Sequence, residues 1–547
     1  MVLPSMPRIP RPFTRVLVML MSIALLVGLA GIGGSAAVGT GSRPTKQSLA
    51  QHILNTAAGK VMTASARAAL EMFASGDRHV APDPKNNDFS NAKKGAGGLA
   101  APTPSFTNVR VNNPAIDTNQ IDQTTQSETA IGVAGSHVVV GFNDSQHGLL
   151  FLTAGANLNG YGYSDDGGAT WVDGGTIPNA PALQNVGDPW IASDRAGNFY
   201  YSSLAIDVVN GLDIGIAKST DGGHTFSQPV IALPQGNLFD FGDKDAMTVG
   251  PDPSVKTRDN IYVAWDDFGC DVNFNCFNGL PVARSTDGGA SYQVTYADKF
   301  NFDTIGCSFQ QYIGAMPLVD KNGVLYLAAE RFSVTDPDCT GGTFTMDESF
   351  FKSTDGGQTF SARSTISSVV SATPFGALIL GPGQYMRTIE FPTMAILGNA
   401  LYVAWNDGTS GNSHIRLAKS TNGGTSWSLS WATQGTNDEL QPALSADTAL
   451  HLFYYRRNNN NTLDVFVANS ANGSSFVANR VSTVSSPGVI TVPNFDPIIA
   501  WGYMGDYLAN ASNGSRQYFA WGDNRDIVTN FLWAQGRHDP DVFFAKQ

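Results

Sequence analysis

The chain has 547 residues, 42% of them hydrophobic, which is ample for a large buried core. Only 14% are charged and glycine is abundant at 58 residues, the balance of an all-β protein rich in tight turns. The net charge of −13 argues against nucleic acid as a partner and disfavours long-range attraction of an acidic sugar.

Arg8, Arg11 and Arg15 precede an uncharged run from Val16 to Val38, and small residues Ser35, Ala36 and Ala37 close it. That order predicts a secretory signal peptide over 1–37, cleaved after Ala37. The run is also long enough to span a bilayer, so an uncleaved anchor is the alternative, and the membrane enters only through it. Either way the rest of the chain is predicted to be secreted or in the cell envelope. Residues 38–105 form a second segment. Leu49, Ile53, Ala57 and Val61 fall at helical spacing, with Leu70 and Phe73 beyond, predicting helix within Lys46–Ser75. From Asp77 to Ser105 the Asn, Lys, Gly, Ala and Pro content predicts a flexible linker.

Two interleaved repeats fill residues 106–547. The first is a pair of strands around a polar turn, as in Glu128–Asp144, Asp188–Ser203, Asp245–Asp267 and Gly314–Glu330, then Thr393–Asp407, Gln441–Arg456 and Asp506–Asp523. Their β-branched and aromatic residues, broken by Gly, Asn and Asp, are those of hairpins. The second is a short phrase: Ser164-Asp-Asp-Gly-Gly-Ala-Thr-Trp171, then copies beginning at Ser219, Ser285, Ser353 and Ser420, and a degraded one at Ser470. Its Asp or Asn bonds nearby backbone, its glycines supply positive φ, and its closing aromatic returns to strand. The recurrence is that of propeller blades, and the strand pairs count seven. The last pair is followed by one strand, Asp541–Lys546, so an outermost strand is missing; Asn108–Asn112 is predicted to supply it and remove an exposed edge. Trp265, Trp405 and Trp521 are expected in the core, whereas Trp190 and Trp501 adjoin rim turns and are ligand candidates, with Asp243 and Asp506.

Four cysteines in an exported chain predict two disulfides, Cys270–Cys276 and Cys307–Cys339. Neither Cys-x-x-Cys nor a nearby His pair supports zinc as the alternative. Asp144, Asp266, Asp267, Asp407 and Asp523 end second strands, and Asp188, Asp243, Asp245 and Asp506 precede inner ones. Carboxylates gathered near a narrow axis are costly unless donors or cations meet them. Capping of strand ends is one answer and a structural Ca²⁺ is another; no cofactor is required.

The Ser-x-Asp-Gly-Gly phrase resembles the Asp-box, or bacterial neuraminidase repeat, of the sialidase superfamily, and the resemblance covers residues 106–547. It implies a propeller of four-stranded blades, six in the known sialidases where the count here favours seven. It also implies Asp-boxes between third and fourth strands, away from the active face. Sialidases hold the substrate carboxylate with three arginines and use an Asp acid/base and a Tyr nucleophile paired with Glu. The residues that could answer are Arg331, Arg387 and Arg525, Glu390 with Tyr507, and Asp188. Two features depart from the family: the sole Arg-Ile-Pro phrase is Arg8–Pro10, inside the leader, and no phrase matches the first-blade catalytic Asp. The expectation is therefore a sialidase-like propeller that binds a glycan or a cell-surface protein, with an exo-sialidase-like glycoside hydrolase as the alternative.

Overall fold

The computed structural model describes residues 106–547 apart from 117–124, 146–156, 182, 208–210, 235–236, 272, 274, 302–308, 336–342, 372–376, 382–383, 491–503, 515 and 530–535, together with 51 and 93–94. The chain divides into two compact units, Met1–Arg43 and Pro44–Gln547, and the described residues all belong to the second. The predicted leader and most of the helical segment and linker lie outside them, as do Cys307, Cys339 and Trp501. Among the described residues no helix is long and apolar enough to cross a membrane.

The fold is all-β and propeller-like, built from four-stranded antiparallel meanders. Their first strands are β1 (Gln126–Ala134), β2 (Trp190–Ser193), β3 (Asn237–Pro251), β4 (Phe309–Val319), β5 (Thr393–Leu397), β6 (Glu439–Ala446) and β7 (Ala509–Asn513). Each pairs with the strand that follows it. Successive first strands touch in chain order, and β7 returns to touch β1. The meanders of β2 and β3 are fused into one nine-stranded sheet by a short parallel pairing of Gly211–Leu212 with Asp240–Phe241. The predicted closing strand is present: Val109 and Arg110 pair antiparallel with Phe544 and Phe543. A further small sheet includes the hairpin Ala377–Gly381 with Gln384–Arg387.

Both faces of most sheets are covered, so second strands read as continuous apolar runs. Val138, Val139 and Val140 are all fully buried. Val138 and Val140 pack on Tyr518, Val542 and Phe544 of the β7 sheet, while Val139 packs on Phe199, Tyr201 and Phe226 of the β2 sheet. Trp265, Trp405 and Trp521 are core residues, as expected from sequence. Cys270 and Cys276 form the predicted disulfide, opposite each other across a strand pair.

The Ser-x-Asp-Gly-Gly phrases form turns between third and fourth strands. In the first, Asp166 accepts hydrogen bonds from the Ala169 and Thr170 amides (2.7 and 2.9 Å) and from the Thr170 and Ser164 hydroxyls. Asp221, Asp287 and Asp355 repeat this pattern. The second glycine of the pair has two duties. Gly168 lies at φ +83°, and a Cβ there would sit 2.2 Å from Phe544 of the neighbouring sheet. Gly223 is held likewise, 2.1 Å from Val139. The phrase thus turns its own sheet and fits it against the next.

Candidate functional site

The first strands carry a bulge at their entry. Pairing skips two residues in β1, β3, β4 and β6, between Ser127 and Ala130, Asp243 and Ala246, Ile313 and Met316, and Leu440 and Ala443. An extra residue bends a strand and re-aims its side chain. Glu128, Lys244 and Gln441 occupy these bulges at φ +52°, +28° and +51°, and Asp188 stands just before β2 at +56°. Non-glycine residues held there cost about 1–3 kcal/mol each.

These side chains meet near the axis. Asn143 bridges two of them: its Oδ1 accepts from the Asp188 amide (2.7 Å) and its Nδ2 donates to Glu128 Oε2 (2.7 Å). Glu128 Oε1 accepts from the Asp506 amide (3.0 Å). Gln441 donates to the Gly505 carbonyl (2.7 Å) and its amide is received by Asn406 (3.3 Å). Hydrogen bonds therefore run from the β5 sheet through β6 and β7 to β1 and β2.

Among the described residues one cation, Lys244, serves the cluster. The buried Lys244 Nζ donates to the Asp245 carbonyl (2.8 Å) and lies over the rings of Tyr507 and Trp190, 3.9 and 4.6 Å from their centroids. Burial lowers its pKa, opposed by the charges of Asp245, Asp188, Glu128 and Asp266. The acids respond oppositely. Burial, then the Asp506 charge, pushes Glu128 up to about 8. Burial lifts Asp245 to about 7 against the pull of Lys244. Asp188 is pushed well above its ordinary value by burial, Glu128 and Asp243. Asp266 is raised by burial and Asp243. Among the described residues, neither oxygen of Asp188 receives a bond from an N–H or O–H group. When protonated, Asp188 donates to Glu128.

Asp188, Trp190, Asp243, Asp506 and Tyr507 are thus brought together around Lys244. The Tyr507 hydroxyl donates to the Pro189 carbonyl (3.1 Å), not to Glu390. Glu390 lies elsewhere, accepting from Ser371 (2.7 Å) and raising the pKa of buried Glu330 and Glu348. Arg331 pairs with Asp347 (2.6 Å) and donates to Gln310 (2.8 Å). Arg525 pairs with Asp523 and lies on Phe543. Among the described residues these two arginines share no partner. Arg387 ends a strand of the small hairpin, and its side chain is outside the described residues. Sequence reasoning passed over Lys244 and Glu128; the signal available was a lysine set between two acids, Asp243 and Asp245, at a repeated strand entry.

Among the described residues two cavities adjoin the cluster. A small one of about 40 Å³ is lined by Trp190, Lys244, Gln441, Asp506 and Tyr507. A larger one of about 700 Å³ runs along the inner strands past Trp190, Met247, Met316, Met394 and Asn510.

No family model matches the chain, and no curated protein matches it. Several solved structures are similar. An ulvan lyase of a new polysaccharide lyase family shares 10% identity at a TM-score of 0.46, covering 78% of this chain and 95% of that one. An α-L-arabinofuranosidase from Fusarium graminearum shares 13% at 0.41, covering 64% and 92%. A Trypanosoma rangeli sialidase shares 12% at 0.40, covering 68% and 59%. Likeness at this level does not bear on what the chain does.

Proposed function

We propose that this protein is an exported, seven-bladed propeller of sialidase-like type that binds a glycan or a glycan-bearing cell-surface partner without cleaving it. The observation that carries the reading is the size of the space that Lys244, Asp506 and Tyr507 line among the described residues. A cavity of about 40 Å³ holds water, whereas ligand sites run to about 300–1,000 Å³. Tyr507, the candidate nucleophile, is buried under Lys244 with its hydroxyl engaged, and Arg331 and Arg525 are each held by an aspartate of their own sheet. The 700 Å³ channel is of ligand size, and Trp190 gives it an aromatic face for a sugar ring. The return of β7 to β1 supports the blade count, and the Ser-x-Asp-Gly-Gly turns between third and fourth strands support the superfamily. Export is supported by the Cys270–Cys276 disulfide and the N-terminal charge pattern.

A hydrolase is the second reading, favoured by Glu128 near 8 and Asp245 near 7, values suited to acid–base work at neutral pH. A glycan array, run beside a fluorogenic sialoside panel with EDTA or Ca²⁺, separates the two. The binding reading expects array signals that fall at least ~10-fold in Trp190→Ala, and no turnover. Turnover that is lost in Tyr507→Phe or Arg387→Ala overturns it.

A further inference from the structure

On the first two sheets, away from the axial cluster, three metal-ligating side chains converge. His137 Nδ1 lies 2.8 Å from Asp165 Oδ1, and His224 Nε2 lies 3.0 Å from both Asp165 oxygens. One ligand atom from each residue falls within 4.8 Å of the other two. All three side chains are about half exposed, so an ion can reach them. Among the described residues no other group of three such side chains meets in this way.

The residues break the repeat at the places where they meet. Asp165 stands where the other full phrases have Thr220, Thr286, Thr354 and Thr421. His224 stands where they have Ala169, Ala290, Gln358 and Thr425. Neither is needed for the turn, since Asp166 and Asp221 already make its hydrogen bonds. The two departures come from different sheets and face each other, with His137 opening the second strand of the first sheet. Both imidazoles are held in place. His137 abuts Gly222, where a Cβ would sit 2.8 Å from Nδ1, and the His224 ring stacks on Tyr163 at 4.5 Å.

We propose that His137 Nδ1, His224 Nε2 and the Asp165 carboxylate form a binding site for a borderline divalent cation of the Zn²⁺ class, tying the first sheet to the second. Two imidazoles and one carboxylate suit Zn²⁺ and not Ca²⁺, which takes oxygen ligands. Three protein ligands leave the fourth position to water. As hydrogen-bonded side chains alone, an exposed His–Asp–His group contributes little to stability. With the ion it links two sheets, because a ligand bound only by the folded state stabilises that state. In the bound form each imidazole is neutral, with its one proton on the nitrogen away from the ion: Nε2 of His137 and Nδ1 of His224.

Isothermal titration of the full chain with Zn²⁺, after EDTA treatment and dialysis, tests the site. Wild type is expected to take up about one equivalent and to show a raised thermal midpoint with the ion. His137→Ala, Asp165→Asn and His224→Ala are each expected to weaken uptake at least ~10-fold. Because these side chains are exposed, the variants should keep the wild-type midpoint in EDTA. Co²⁺ gives a second readout: a visible tetrahedral spectrum in wild type that is lost in His224→Ala. Absence of Zn²⁺ uptake by wild type, or uptake and Co²⁺ spectrum unchanged in all three variants, overturns the proposal.

Discussion

The same residue plays opposite parts in two regions of this molecule. At the peripheral turns, Asp221 is exposed and its carboxylate is surrounded by donors. Slight burial pulls its pKa up, but bonds from Thr225 and Ser219 outweigh this and hold it at about 2. Near the axis, Asp188 is wholly buried, without an N–H or O–H donor to its carboxylate among the described residues, and its pKa is raised far above the ordinary value. One carboxylate stabilises the turn by being charged, and the other is tolerated by being neutral or by facing Lys244. Repetition of an aspartate along a chain therefore says where a fold is built. Its burial without donors says where the fold carries a cost that packing alone does not require.

The contrast breaks most sharply at Lys244. Lys244→Met should leave Glu128, Asp188, Asp245 and Asp266 without their cation and destabilise the protein by about 3–5 kcal/mol at pH 8, read from urea denaturation. The deficit should shrink at pH 5, where the acids are neutral; an equal loss at both pH values would remove the electrostatic account.

The two regions should also answer pH in opposite directions. Glu128 has a folded value raised from 4.5 to about 8, so its contribution is fully present below 4.5 and is lost as pH rises through 8. Asp221 is depressed from 3.8 to about 2, so its contribution is present above 3.8 and is lost as pH falls through 2. Wild-type stability should fall between pH 5 and 8.5, and Glu128→Gln should flatten that slope. A slope that Glu128→Gln leaves intact would assign it to other groups.

Gly168→Ala tests the second duty of the turns, combining a left-handed backbone with a Cβ against Phe544. A loss of about 2 kcal/mol is expected, and a neutral result would mean the neighbouring sheet moves freely. The smallest effect is that of Asp221→Ala, which removes bonds much like a helix cap and should cost about 1 kcal/mol. A larger cost than that of Lys244→Met would invert the comparison.

Much of the fold was legible because its signals are local. The Ser-x-Asp-Gly-Gly phrase needs only its own side chains and φ angles to make a turn, and the alternation of such turns with apolar strands defines the meanders. The closing strand at Val109–Arg110 was legible by subtraction, since the last sheet lacked an edge. The disulfide of Cys270 and Cys276 was legible from proximity in the chain. The site was legible only in part. Asp188, Trp190, Asp506 and Tyr507 were singled out individually, but not the lysine that gathers them. Arg331 and Arg525 were expected to join one triad; each pairs with an aspartate in its own sheet, contacts the sequence did not announce. Sequence by itself determined the strands, the turns and their repetition, because these follow from short-range sterics and hydrogen bonding. Only the tertiary structure decided which charges share one low-dielectric space, because that depends on bulges in strands more than a hundred residues apart meeting at a common axis.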